Sequence, residues 1–166
     1  ESIELLADGR AVTVLDLPGL YALSSATDPS TDEGIARRIL EETESSGAGF
    51  VALQVLDATQ LARNLRLTLE LLRMKLPLVL AVSQLDLLTR EGRSLDVARL
   101  AHGVGAPVVA VSARDPSARD TVLRAVSSRL DAPRTEGQGL AVDFDPEVLA
   151  REVLGDLSGI TDDTRR

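Results

Sequence analysis

Three short apolar runs, each followed by polar residues, constrain the fold of this chain more than any other feature. They are residues 50–56, 78–82 and 106–111, which lead into Asp57, Ser83 and Ser112 respectively. Runs that are apolar at nearly every position are typical of strands buried on both faces, as in a parallel sheet covered by helices. The carboxyl ends of parallel strands lie at one edge, where open α/β sheets bind their ligands. We therefore expect the polar ends of these runs to form one site.

The composition is consistent with a single α/β domain and argues against several other classes of protein. The chain has 166 residues, of which 44% are hydrophobic but only 2% aromatic, so its core must consist of aliphatic side chains. A net charge of −8 argues against nucleic-acid binding, which needs clustered basic residues. The absence of cysteine excludes a disulfide scaffold and a thiolate metal site. No apolar run approaches the roughly 18 residues that span a bilayer, which predicts a soluble chain.

A fourth apolar run, residues 12–15, leads into Asp16-Leu17-Pro18-Gly19. At such a position an aspartate can hold a water on a phosphate-bound Mg²⁺, and a glycine lets its backbone N–H approach a γ-phosphate. The same pattern occurs at ordinary strand-to-turn junctions, so on its own it does not identify a site. Combined with the ordered strand ends downstream, it predicts a GTP/GDP site in which Asp16 contacts Mg²⁺ through water and Gly19 senses the γ-phosphate.

The ends of the runs at 78–82 and 106–111 carry the residues expected to recognise the base. The Asp86 carboxylate presents two acceptors, which match the adjacent N–H donors of guanine and not the edge of adenine. Backbone N–H groups of Ser112 and Ala113 would meet the guanine carbonyl. Serine and aspartate are also common helix caps, which is the ordinary explanation for each of them. The predicted nucleotide-binding residues on these two ends are Ser83, Gln84, Asp86, Ser112, Ala113 and Arg114.

The remaining sequence predicts the elements that surround these strands. A turn at Gly9 joins strands at 2–7 and 10–15, an antiparallel pair expected at the sheet edge. A loop with few apolar anchors is expected over residues 20–31. Helices are predicted over residues 31–44, 60–75, 93–102, 117–130 and 148–157. The resulting division is an α/β domain over 1–130, a linker over 131–143 and a short helical segment over 144–166.

Three segments resemble one known family. They are residues 15–24, 32–37 and 57–65, with the sequences LDLPGLYALS, DEGIAR and DATQLARNL. The third, which continues into the helix predicted over 60–75, is far more specific than the strand ends. These segments resemble the cytoplasmic G domain of the bacterial ferrous iron transport protein B (FeoB) family, and the resemblance covers most of residues 1–130.

The resemblance implies a small-GTPase-like, doubly wound α/β fold: a mostly parallel sheet with helices on both faces, here followed by a short C-terminal helical appendage. It implies Mg²⁺-dependent hydrolysis of GTP, with nucleotide state regulating Fe²⁺ uptake. It also implies a location at the cytoplasmic face of the bacterial inner membrane. The expected partners are guanine nucleotide and the membrane-embedded part of the same transporter, with a homo-oligomer possible and nucleic acid excluded.

Two departures from the family pattern bear on this reading. The chain contains no Gly-x-x-x-x-Gly-Lys-Ser/Thr phosphate loop, which in the family lies upstream, so an N-terminal segment is expected to precede residue 1. Ser83 stands where the family has Asn, whose amide bridges the base and the phosphate loop.

Two alternatives to this reading remain. Without a phosphate loop, the chain would be a nucleotide-free interaction or dimerisation module of the same transporter. A soluble GTPase of another family would leave residues 57–65 unexplained. The short C-terminal segment indicates either a shortened regulatory domain or an internal segment that this sequence lacks.

Overall fold

The computed structural model describes residues 2–6, 9–17, 23, 28, 30–132 and 143–156. The three apolar runs form its central parallel sheet. In chain order the described elements are β1 (Ser2–Leu5), β2 (Ala11–Val14), α1 (Asp32–Ser45), β3 (Ala52–Asp57), a 3-10 turn (Ala58–Gln60), α2 (Leu61–Arg73), β4 (Leu78–Ser83), α3 (Leu85–Arg90), β5 (Arg93–Leu95), α4 (Val97–Val104), β6 (Val108–Ala110), α5 (Ala118–Asp131), α6 (Pro146–Val153) and β7 (Leu154–Asp156).

The central sheet has the strand order β3-β4-β6, with both pairs parallel. The first five residues of β4 are buried, because helices cover both faces of the middle strand. Helix α2 packs against β3, α5 against β4 and α4 against β6. The predicted fold, a mostly parallel α/β sheet with helices on both faces, is confirmed.

The predicted hairpin forms, but its place in the sheet differs from the prediction. Strands β1 and β2 pair antiparallel, and Gly9 adopts a positive φ of 83° in the turn between them. Within the described residues they form a two-stranded sheet of their own rather than the edge of the central sheet. Side-chain ion pairs fasten the hairpin to α5 instead: Arg10 binds Asp131 at 2.9 Å, and Arg119 binds Glu4.

Two short strands replace parts of predicted helices. The helix expected over residues 93–102 begins only at Val97, because the Asp96 side chain caps it by accepting from the Arg99 amide at 2.9 Å. The helix expected to continue to residue 157 ends at Val153. The displaced residues form β5 and β7, which pair antiparallel with each other. Neither helix prediction was correct at these ends.

Helix α6 packs onto the rest of the fold. Its N-cap Asp145 accepts from the amides of Glu147 and Val148, and Pro146 opens its first turn, where the missing N–H of proline costs no helical hydrogen bond. Leu149, Ala150 and Val153 are buried, and α6 contacts α2 and α4. The approach to α4 is close, since a Cβ built on Gly103 would lie 2.6 Å from a Leu149 methyl group. Most of the predicted linker, and residues 157–166, lie outside the described residues.

None of the helices that the structure describes combines the length and apolar character that a membrane span requires.

Candidate nucleotide-binding site

The polar ends of β4 and β6 meet in one cleft of about 350 Å³. Val82 of β4 pairs with Ala110 of β6 in the parallel register, so both strands end at the same edge of the sheet. Six of the eight residues that the sequence analysis assigns to the nucleotide line this cleft. The lining residues are Ser83, Gln84, Asp86, Leu87, Ser112, Ala113 and Arg114.

The β4 side of the cleft is a tight strand-to-helix turn. Gln84 takes a left-handed conformation, with φ 64° and ψ 23°. A residue with a Cβ pays about 1–2 kcal/mol for this conformation. The turn lets α3 begin at Leu85, where the amides of Leu87 and Leu88 donate to the Gln84 carbonyl. It thereby places Asp86 in the first helical turn, beside the end of the strand.

Ser83 is tied to the neighbouring strand. Its Oγ donates to the Leu56 carbonyl at 3.0 Å, across the end of β3. The hydroxyl therefore holds the ends of β3 and β4 together. A serine side chain is too short to make this bond and also extend across the cleft as an asparagine would.

The β6 side of the cleft is a turn built on Ser112. The Asp115 amide donates to the Ser112 carbonyl at 2.9 Å, and the Arg114 amide donates to Ser112 Oγ at 3.3 Å. Within the described part of the chain, the Ala113 amide has no hydrogen-bond acceptor. This N–H is therefore available to a ligand carbonyl.

The Asp115 carboxylate caps the turn that leads into α5. Hydrogen bonds from the Ser117 amide and, secondarily, the Ser117 hydroxyl lower the pKa of the Asp115 carboxyl below its ordinary value. A lowered pKa stabilises the folded state above the ordinary pKa, and this contribution is lost as the pH falls through the lowered value. At neutral pH the hydrogen bonds from Ser117, the residue before α5, are therefore retained.

The carboxylate of Asp86 is accessible. It is 48% exposed, and its only ion-pair partner in the described residues is Arg114, at 3.6 Å between Nη1 and Oδ2. The Arg114 side chain is 78% exposed, so the pair contributes about 0–1 kcal/mol. A ligand that accepts from Arg114 or donates to Asp86 would therefore replace this ion pair at little cost in free energy.

Asp16, the residue predicted to contact Mg²⁺ through water, is not part of this cleft. It is exposed and follows β2, outside the cleft lining. Gly19, predicted to sense the γ-phosphate, lies outside the described residues. The structure therefore brings together the residues assigned to the base and leaves Asp16 apart from them.

The sequence did not predict the roles of Leu87 and Leu23. Leu87 lines the cleft next to Asp86 and offers an aliphatic surface to a planar ring. Its position directly after Asp86 in the sequence was the available signal. Leu23 lies in the loop predicted to have few apolar anchors, yet it is buried in the core and its amide donates to the Glu70 carboxylate on α2. Leu23 therefore anchors this loop to the core.

The sequence model of the family described as "Ferrous iron transport protein B" matches residues 1–126. This chain belongs to that family. The Fe(2+) transporter FeoB of Salmonella typhimurium is 38% identical over 99 residues, which is 59% of this chain and 12% of the relative. The Escherichia coli K12 transporter is 35% identical over the same length. The chain thus spans about an eighth of the curated relatives that it matches.

Solved structures of the family share the fold. The FeoB G-domain from Methanococcus jannaschii matches with a TM-score of 0.66 and 34% identity, over 75% of this chain and 74% of that one. A GDP-bound S. thermophilus NFeoB mutant matches with a TM-score of 0.59 and 35% identity, over 69% of this chain and 42% of that one. Within the FeoB family, this chain corresponds to the G domain.

Proposed function

We propose that this chain binds GTP and GDP and hydrolyses GTP as the cytoplasmic G domain of a ferrous iron transporter. The observation that carries the proposal is the cleft at the ends of β4 and β6, which unites an accessible Asp86 carboxylate with the free Ala113 amide. The similar S. thermophilus structure was solved with GDP bound, which supports a guanine nucleotide as the ligand.

The cleft supports a specific division of roles in base recognition. The two oxygens of Asp86 accept from the two adjacent N–H groups of guanine, a pair of donors that adenine does not present. The Ser112 turn offers the Ala113 amide to the guanine carbonyl. Arg114 and Leu87 cover the ring, and Gln84 fixes the turn that aims Asp86.

The phosphates and Mg²⁺ would be held outside this cleft. Asp16 is an exposed carboxylate, and one or two carboxylates together with substrate phosphates make the usual protein site for Mg²⁺. The donor chemistry of Asp16 therefore fits a water-mediated contact to the metal, and Gly19 would meet the γ-phosphate. When bound, Mg²⁺ supplies positive charge beside the phosphate oxygens. We propose that a phosphate loop preceding residue 1 completes the site.

The wider role follows from family membership. In this proposal, the G domain extends over 1–130, a linker over 131–143 joins it to a membrane-proximal segment over 144–166, and the partner is the membrane-embedded part of the same transporter. Nucleotide state at the cytoplasmic face of the inner membrane would then regulate Fe²⁺ uptake. Helix α6, which belongs to the segment over 144–166, packs on α2 and α4. This packing supports mechanical coupling between the nucleotide domain and that segment.

The proposal is tested by calorimetry with GDP and ADP on the full-length protein. We expect GDP to bind and ADP to bind at least a hundredfold more weakly, because adenine presents no donor pair to Asp86. Equal affinities for the two nucleotides would refute guanine recognition by this cleft.

Replacing Ser83 by asparagine should strengthen nucleotide binding. The longer amide can extend into the cleft and restore one hydrogen bond, worth about 0.5–1.5 kcal/mol or up to about tenfold in GDP affinity. Ser83→Ala is the matched control, because it removes the bond to the Leu56 carbonyl without adding any reach. If calorimetry shows that Ser83→Asn leaves GDP affinity unchanged or weaker, Ser83 does not occupy the asparagine position of the family.

The exposed side of β3 favours a second candidate function, an interaction or dimerisation module. In the described residues β3 pairs only with β4, and Leu53 and Val55 are exposed on it. An unpaired edge with exposed aliphatic side chains is a typical site for pairing with another chain. A sedimentation experiment separates the candidates: a stable dimer with no GDP binding supports the module, and a monomer that binds GDP supports the G domain.

A further inference from the structure

A second cleft, of about 460 Å³, lies away from the base-recognition residues. Its walls are the start of α2, β5, and the α6–β7 segment. Three arginines line it, each from a different wall: Arg63 from α2, Arg93 from β5 and Arg151 from α6. The proposed nucleotide function uses none of these residues.

The electrostatics of this cleft contrast with those of the whole chain. The chain carries a net charge of −8, yet the cleft lining contains three arginines and one acidic residue, Glu147. The Glu147 carboxylate already pairs with Arg66 at 3.0 Å, a residue outside the lining. Within the described part of the chain, Arg93 and Arg151 have no carboxylate partner. The cleft therefore presents two guanidinium groups, those of Arg93 and Arg151, that no described carboxylate pairs with.

We propose that this cleft binds a phosphate-bearing anion with at least two negative charges. Guanidinium groups bind phosphate oxygens through paired, charge-assisted hydrogen bonds, and a site formed by several arginines is selective for multiply charged anions. A soluble phosphate compound and the headgroup of an anionic phospholipid share this chemistry.

Binding would also join separate parts of the fold. Arg93 lies on β5 and Arg151 on α6, so the two belong to different segments. An anion that contacts both guanidinium groups would attract the two segments towards each other. The ligand should therefore raise the melting temperature of the chain.

The first arm of the test uses pyrophosphate and calorimetry on this chain, whose sequence contains no Gly-Lys phosphate-loop motif. We expect binding that weakens about tenfold in each of Arg93→Gln and Arg151→Gln, and that also weakens in 0.5 M salt. Arg38→Gln on α1 is the matched control: it removes the same charge from an exposed site outside the cleft and should leave binding unchanged. All three arginines replaced are exposed, so each variant should melt within a few degrees of the parent chain when no ligand is present.

The second arm measures cosedimentation with phosphatidylglycerol vesicles and with phosphatidylcholine vesicles. Arginine-dependent binding to pyrophosphate alone identifies a soluble ligand, and arginine-dependent binding to phosphatidylglycerol alone identifies a lipid headgroup. Either result supports the anion site. The proposal is overturned if neither probe binds, or if Arg93→Gln and Arg151→Gln bind as well as the Arg38→Gln control. Asp86 lies outside this cleft, so Asp86→Asn should bind the same probe as the parent chain, and this result is independent of nucleotide recognition.

Discussion

Replacing Asp86 by asparagine should lower GDP affinity about a hundredfold and transfer the preference of the site to xanthine. An amide offers one acceptor and one donor where the carboxylate offers two acceptors. The variant therefore sets a donor against the guanine amino group, whereas xanthine carries a carbonyl at that position. The loss of a charge-assisted hydrogen bond and the opposed donors together cost about 2–4 kcal/mol.

The measurement is a competition between GDP and XDP on the full-length protein. Stability should be nearly unchanged, because the Arg114 contact that Asp86 loses is a weak surface pair. Asp120→Asn removes the same charge from an exposed position on α5 and should leave the guanine preference intact. If Asp86→Asn still prefers GDP, then Asp86 is only an acidic residue in the first turn of α3, and the cleft does not recognise guanine.

The largest effect on stability is expected from Leu149→Ala on α6. Leu149 is 7% exposed and packs against α4 at Gly103, so its truncation should lower the free energy of unfolding by about 2–5 kcal/mol. The neighbouring Val148 is 46% exposed and provides a matched control in the same helix. Val148→Ala should change stability by less than about 0.5 kcal/mol.

Urea unfolding of the two variants tests whether α6 belongs to the cooperative fold. A single transition, shifted strongly in Leu149→Ala and hardly in Val148→Ala, is the expected result. Equal midpoints for the two variants would contradict the docking of α6, since the buried and the exposed position would then be equivalent.

The central fold could be predicted from sequence because its signals are local and repeated. The apolar run that became β4 is buried along its length, which only a strand covered on both faces explains. The leucines at positions 61, 65 and 69 recur at helical spacing, and all three are buried in α2. The ends of parallel strands share one edge by geometry, so Asp86 and Ala113 could be placed in one cleft before the structure was known.

The features that sequence reasoning missed depend on contacts between distant segments. Strand β5 has three residues and forms because β7 pairs with it, some sixty positions further along the chain. A segment of three residues is too short to show the alternation of apolar and polar residues that predicts a strand, and the residues that follow it predict a helix. The bond from Ser83 to the Leu56 carbonyl and the burial of Leu23 likewise arise only when separate elements pack together. Tertiary contacts, rather than local propensity, decide these positions.

Recognition of guanine by the cleft at the ends of β4 and β6 can be tested by mapping nucleotide binding on the amide NMR spectrum. The full-length protein would be titrated with GDP and, separately, with ADP. We expect GDP to shift the amides of Asp86, Ala113 and Arg114 strongly, whereas ADP at the same concentration should leave them in place. Shifts of equal size with both nucleotides, or GDP-dependent shifts confined to other parts of the chain, would contradict guanine recognition by this cleft.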